Sequence, residues 1–132
     1  FIMLTPDQFN VNEAWIAIRV NEEFIFVKND PHDIFVLIDA ASAFVLGFVF
    51  SSVVDESPNE QDVENLFNEA WETKQEWPRK LIVADDSIAN DVFIKQAQRN
   101  GFEFDTVPTS CLVPIVGELK ETFSRNFMGN PG

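Results

Sequence analysis

The sequence contains no tyrosine, one cysteine and one histidine, and these shortages exclude several kinds of site. Cys111 has no partner for an intrachain disulfide, and cysteine-based metal sites are excluded. We interpret Cys111 as a buried apolar side chain, although His32 could in principle activate it as a nucleophile. His32 itself is interpreted as a solvated loop residue, because a transition-metal site would need further histidines. The five glycines are dispersed, so no phosphate-binding loop and no cofactor are expected.

Basic residues are also scarce, with 9 Lys and Arg against 22 Asp and Glu, which gives a net charge of -13. Proteins that bind nucleic acid use Lys and Arg to displace counterions from the phosphate backbone. No cluster of Lys or Arg offsets the overall charge, which predicts repulsion from nucleic acid and from anionic membranes. We therefore expect neither nucleic acid nor a membrane as a partner.

Long apolar runs are missing as well. None approaches the roughly 20 residues needed to cross a bilayer, and the first four residues lack the basic region and apolar core of a signal peptide. With a single cysteine, this favours a cytoplasmic protein. The chain does not start with Met, as expected of a part of a longer polypeptide. Its 132 residues, 45% of them hydrophobic, predict one domain covering residues 1–132 with an adequate core.

The first half of the chain predicts strands. Alternating patterns indicate strands at Trp15–Val20 and Phe24–Val27, followed by a loop at Lys28–Asp33 that is rich in turn-forming residues. Ile34–Ile38 and Phe44–Phe50 are apolar at successive positions, which predicts two buried strands with both faces covered. The short link between them predicts an antiparallel hairpin.

The second half predicts alternating helices and strands. Ser57, with Pro58 and Glu60 after it, indicates a helix start. The predicted elements are a helix to Pro78, a strand at 80–84, a helix ending at Asn100-Gly101, a strand at 102–107 and a helix at 112–125. Strand–helix–strand units predict parallel pairing with right-handed crossovers. The fold class is therefore α/β, with a mixed sheet, helices on both faces and the element order of the ribonuclease-H-like fold.

Five carboxylates could lie at the ends of these elements. Asp39 ends the first buried strand, Asp85 and Asp86 follow the strand predicted beside it, and Glu118 and Glu121 lie on the last helix. This pattern resembles the acidic triad of the ribonuclease-H and integrase superfamily. The resemblance implies Asp39, Asp85 and Glu118 or Glu121 as ligands of Mg²⁺ or Mn²⁺ in a phosphodiester or phosphate hydrolase.

A structural role is the favoured interpretation of each acid. Asp39 is a typical turn residue and Asp86 a typical helix cap. Glu118 and Glu121 belong to a helix in a chain rich in exposed Glu. In addition, Asp86-Ser87 stands where an Asn-Gly pair often follows the second integrase acid.

A second resemblance covers nearly the whole chain. The segments that carry it are Trp15–Arg19, the hairpin from Leu37 to Gly47, Trp77–Asp86, Asn100–Phe104 and Leu112-Val113-Pro114. They resemble a family of uncharacterised bacterial domains with ribonuclease-H-like topology. The resemblance implies a fold and no activity.

The favoured function is a non-catalytic interaction or regulatory module. Its partner would be another protein or a second copy of the chain. An exposed Trp77 beside Pro78 would provide the contact surface. The alternatives are the metal-dependent hydrolase, using Asp39, Asp85 and Glu118, and a small-ligand binder at the strand ends near Asp39 and Asp85.

Overall fold

The computed structural model describes residues 3–21, 25–27, 29–53, 58–85 and 90–127. The strands are β1 (Ala14–Arg19), β2 (Ile25–Val27), β3 (Asp30–Asp39), β4 (Val45–Ser52), β5 (Lys80–Ala84) and β6 (Glu103–Val107). The helices are α1 (Glu60–Lys74), α2 (Asn90–Asn100) and α3 (Val113–Phe127), with short 3₁₀ turns at Pro6–Gln8 and Thr109–Leu112. In the described ranges, none of these helices combines the length and apolarity required to cross a bilayer.

The six strands form one mixed sheet. The order across it is β4, β3, β1, β5 and β6. The short β2 pairs with β3 on the same side as β1. β3 is antiparallel to β1 and β4, whereas β1, β5 and β6 run parallel. The predicted hairpin between the two apolar runs and the predicted parallel units are both confirmed.

Two apolar layers cover opposite faces of the sheet. One face carries Trp15 and Leu37 beneath Phe67 of α1 and Phe93 of α2. The other face carries a second set of apolar side chains together with those of α3 and the turn before it: Ile16, Ile18, Ile38, Ile82, Leu112, Ile115 and Val116. Because successive strand residues point to opposite faces, the continuous apolar sequence of β3 is explained by helices on both sides.

The chain departs from two predicted boundaries. Residues Asp30–Asp33 belong to β3 and not to a loop, because they pair with β2 and β4. Asn29, just before them, has a left-handed backbone with a φ of 71°. Helix α1 is capped by Asn59, whose side-chain oxygen accepts hydrogen bonds from the backbone N–H groups of residues 61 and 62 at 2.8 and 3.2 Å. The predicted cap, Ser57, lies outside the described residues.

The end of α2 agrees with the sequence prediction. Gly101 has a φ of 81°, the left-handed conformation that glycine adopts without steric cost. The Phe102 N–H then donates to the Ala97 carbonyl at 3.0 Å, which closes the helix and returns the chain into β6.

Gln96 of α2 provides a stability prediction. It is 1% exposed, and its side-chain nitrogen has no hydrogen-bond partner among the described residues. A buried donor without a partner costs about 1–3 kcal/mol. We expect Gln96→Met, of similar volume, to raise the free energy of unfolding by about 1 kcal/mol, or the melting temperature by about 3 °C. Thermal denaturation measures the change, and a lower melting temperature would show that the amide is stabilising.

Candidate functional site

Asp39 is completely buried at the end of β3. Its carboxylate accepts hydrogen bonds from the Asn12 N–H at 2.7 Å, the Ser42 N–H at 3.1 Å and the Ser42 hydroxyl at 2.7 Å. The first bond fixes the segment entering β1, and the other two fix the turn into β4. Asn12 in turn accepts from the indole N–H of Trp15 at 2.6 Å. The geometry of Asp39 is that of a turn-stabilising residue.

The structure does not bring Asp39 and Asp85 together. β1 lies between their strands, and Trp15 is aligned with both Asp39 on one side and Leu81 on the other. Asp85 comes four residues after Leu81, so it lies about 13 Å from the level of Asp39 along the strand direction. Across the sheet, Asp85 and Asp39 are separated by two strand spacings, about 10 Å. Metal ligands lie within about 2.6 Å of the ion. The two acids therefore cannot share a metal, and they cannot line one small-ligand site.

Asp85 lies exposed at the carboxyl end of β5, where its N–H donates to the Val107 carbonyl at 2.9 Å. The pairing of β1 with β5 places Ile18 and Arg19 next to this end, since Ala17 is aligned with Val83. Ile18 is buried in the apolar layer under α3, and neither side chain can be a metal ligand. The central strand thus contributes no carboxylate beside Asp85.

The nearby acid Asp33 is already engaged. Its carboxylate lies 3.6 Å from the Arg19 guanidinium and accepts from the Asn21 side-chain amide at 3.0 Å. The carbonyl oxygen of the Asn21 side chain accepts from the Ile34 N–H at 2.8 Å. These contacts join β1 and β3 where the two strands separate, and they indicate a structural role.

The remaining predicted acids do not complete a site. Glu118 and Glu121 are exposed on α3, whose buried side chains Ile115 and Val116 face the sheet. Asp86 lies outside the described residues. Within the part of the chain that the structure describes, no three or more His, Cys, Asp or Glu side chains are grouped so that they could hold a metal ion. Among the described residues, the acidic side chains do not fit a magnesium centre.

The sequence predictions for three further residues have different outcomes. Cys111 is buried, as predicted. His32 lies within β3 instead of a loop, with Nδ1 2.9 Å from the Asp30 carbonyl oxygen. Trp77 is partly buried against Trp15 and Phe102, with ring centroids 5.9 and 5.6 Å away. It therefore belongs to the margin of the core and is not the exposed surface that the sequence suggested.

An exposed apolar surface lies instead on β4 and on the residue before it. Phe44, Val45, Phe48 and Phe50 expose 40–59% of their area, and we call these four residues the β4 margin. The Phe48 and Phe50 rings contact each other at a centroid distance of 5.6 Å. Phe48 is aligned with Val36 and Phe50 with Ile34, so both extend the sheet face that α3 covers nearer the centre.

The opposite face of β4 is buried by α1. Val49 lies in the core beneath this helix, and a Cβ added to Gly47 would come within 2.5 Å of the Leu66 side chain. Only glycine allows α1 this close approach without displacing Leu66. The prediction that both faces of this strand are covered is therefore wrong for β4, because it is the last strand of the sheet and α3 does not cover it.

An open groove of about 250 Å³ follows the edge of β4. It is lined by Phe48, Val49 and Phe50 of the strand and by Asp62, Asn65, Leu66 and Glu69 of α1. Both acids are exposed. The groove thus has an apolar margin on the sheet side and acidic side chains on the helix side.

No protein-family model and no curated protein matches the chain. Several solved structures are similar to it, among them three that cover 92% of its length. The simian T-cell lymphotropic virus intasome in complex with PP2A regulatory subunit B56 gamma is similar at a TM-score of 0.56 and 16% identity. Two structures of the HTLV-2 integrase catalytic core domain with magnesium, trimeric and dimeric, have TM-scores of 0.52 and 0.53 at 15% and 14% identity.

The fold is ribonuclease-H-like. This confirms the fold class, and the similarity to the integrase catalytic cores is one of fold. The chain spans 43% of the length of the intasome chain and 75–77% of the two catalytic cores. At these identities the likeness describes architecture, and a fold alone does not assign an activity.

Proposed function

We propose that this ribonuclease-H-like domain is a non-catalytic interaction module that binds a protein partner through the β4 margin. The observation that supports it most is the pair of exposed phenylalanines, Phe48 and Phe50, on a strand at the end of the sheet. Exposed contiguous apolar surface of this kind marks interaction sites in proteins. Among the described residues β4 pairs with β3 alone, so the backbone groups on its outer side are open to a partner.

The arrangement of the acids supports the non-catalytic part of the proposal. Asp39 stabilises the turn between β3 and β4. The neighbours of Asp85 on β1 are Ile18 and Arg19. A two-metal or one-metal hydrolase needs several carboxylates converging on the reacting phosphate. The two HTLV-2 catalytic cores are in complex with magnesium. Among the described residues of this chain, no group of acidic side chains could hold such an ion.

A thermal melt tests the proposal against the hydrolase alternative. A metal at ten times its dissociation constant stabilises a protein by about 1.4 kcal/mol, or about 5 °C for a chain of this size. We expect millimolar Mg²⁺ or Mn²⁺ to shift the melting temperature by no more than about 1 °C relative to NaCl of equal ionic strength. We also expect no hydrolysis of bis(p-nitrophenyl) phosphate.

Asp85→Asn is the matched variant for this test. If the proposal holds, the variant and the wild type respond alike to both metals. A metal-dependent stabilisation or hydrolysis that Asp85→Asn abolishes would contradict the non-catalytic function.

A further inference from the structure

The two edges of the sheet differ in how they are protected. β6, at one end, carries Glu103 and Asp105, charged side chains of the kind that discourage addition of another strand. β4, at the other end, has the sequence Val-Leu-Gly-Phe-Val-Phe-Ser-Ser, without a charge or a proline. Within the described ranges it pairs with β3 alone. β4 is therefore the edge open to an added strand.

Four of the five acids of α1 fall into two groups. Glu60 and Glu64 face α2, where Arg99 lies 3.9 and 3.3 Å from them and Lys95 lies 3.7 Å from Glu60. Asp62 and Glu69 line the groove beside β4, and in the described part of the chain neither has an ion-pair partner. The groove thus keeps two uncompensated negative charges.

A strand added to β4 would place its side chains alternately on the two faces of the sheet. On one face they would meet Asp62 and Glu69 of α1, and on the other they would extend the surface of Phe48 and Phe50. We propose that the partner contributes an extended segment of alternating basic and apolar residues. This inference rests on the proposed function. The segment adds to β4 as a further antiparallel or parallel strand.

A second copy of the chain does not satisfy the same surface. Pairing β4 with β4 would bring no cation to Asp62 or Glu69, because β4 has no basic residue. It would also join two molecules of net charge -13, which repel each other. Sedimentation should therefore show a monomer at micromolar concentrations.

A labelled nine-residue peptide in which Val and Lys alternate is the probe, with binding to the full chain measured by fluorescence anisotropy. One comparison peptide has the same composition with all Lys at one end, and another has Glu in place of Lys. We expect the alternating peptide to bind at least roughly tenfold more tightly than either, because only it places positive charges together on one face of a strand. Its affinity should fall as salt is added.

Three double variants locate the site. Asp62→Asn with Glu69→Gln, and Phe48→Ser with Phe50→Ser, should each weaken binding roughly tenfold. Asp91→Asn with Glu118→Gln removes the same charge elsewhere and should change the affinity by less than about twofold. Equal binding of the two Val/Lys peptides, or equal weakening by the control, would overturn the inference in favour of nonspecific charge attraction.

Failure of this inference is distinguishable from failure of the proposed function. If the alternating peptide does not bind and the chain instead self-associates through Phe48 and Phe50, the basic segment is overturned and the interaction module stands. If metal binding and hydrolysis depend on Asp85, the module itself is overturned.

Discussion

Replacing Asp39 with alanine is expected to lower the free energy of unfolding by about 3 kcal/mol, or the melting temperature by about 10 °C. Hydrogen bonds to a charged acceptor contribute about 1.5–3 kcal/mol each, and the substitution removes three while leaving the Asn12 and Ser42 donors without their acceptor. Asp39→Asn retains one oxygen acceptor, so its loss should be intermediate. Urea denaturation monitored by Trp fluorescence measures the change.

Asp85→Ala is the matched control for Asp39→Ala. Asp85 is exposed, and its hydrogen bond to the Val107 carbonyl is a backbone bond that alanine keeps. Its substitution should change stability by less than about 0.5 kcal/mol. If Asp39→Ala were as stable as the control, the structural role of Asp39 would be contradicted, and a functional role for that buried carboxylate would have to be considered again.

Replacing Phe67 with alanine is expected to cost about 3–5 kcal/mol. Phe67 is completely buried on α1 and contacts aromatic rings from the sheet, from α2 and from the segment after it: Trp15, Phe93 and Phe102, at centroid distances of 6.2, 6.4 and 6.5 Å. Truncation would leave a cavity at the centre of this layer. The same denaturation experiment measures the loss.

Phe48→Ser is the matched control for Phe67→Ala, since it removes the same type of ring from an exposed position. Phe48 is 59% exposed, and we expect its substitution to change stability by less than about 1 kcal/mol. A loss as large as that of Phe67→Ala would mean that Phe48 belongs to the core, and the β4 margin could not be a free surface.

The sequence predicts the elements because local signals and burial agree over most of the chain. β5 occupies Lys80–Ala84 as predicted, and α1 buries Val63, Leu66, Phe67 and Ala70 at the predicted spacing. The stop at Gly101 follows from the left-handed conformation that glycine permits. These features depend on residues close in sequence, which is why they can be recognised without coordinates.

The site is harder to predict because it depends on strand order. Asp39 and Asp85 both end apolar strands, but the strands run in opposite directions and β1 lies between them. Nothing local in the sequence gives that arrangement. For the same reason the apolar run of β4 resembles that of β3, and the exposure of Phe48 and Phe50 follows only from the position of β4 at the end of the sheet. The resemblance to bacterial domains stays a prediction.

Amide hydrogen exchange of the full chain, with and without the alternating Val/Lys peptide, tests the central claim most directly. We expect the peptide to slow exchange at alternate amides of Val45–Ser52, since the N–H groups on the outer side of β4 would become paired. The amides around Asp85 should be unchanged. Protection around Asp85 with no change along β4 would contradict the proposal that this edge of the sheet is the functional surface.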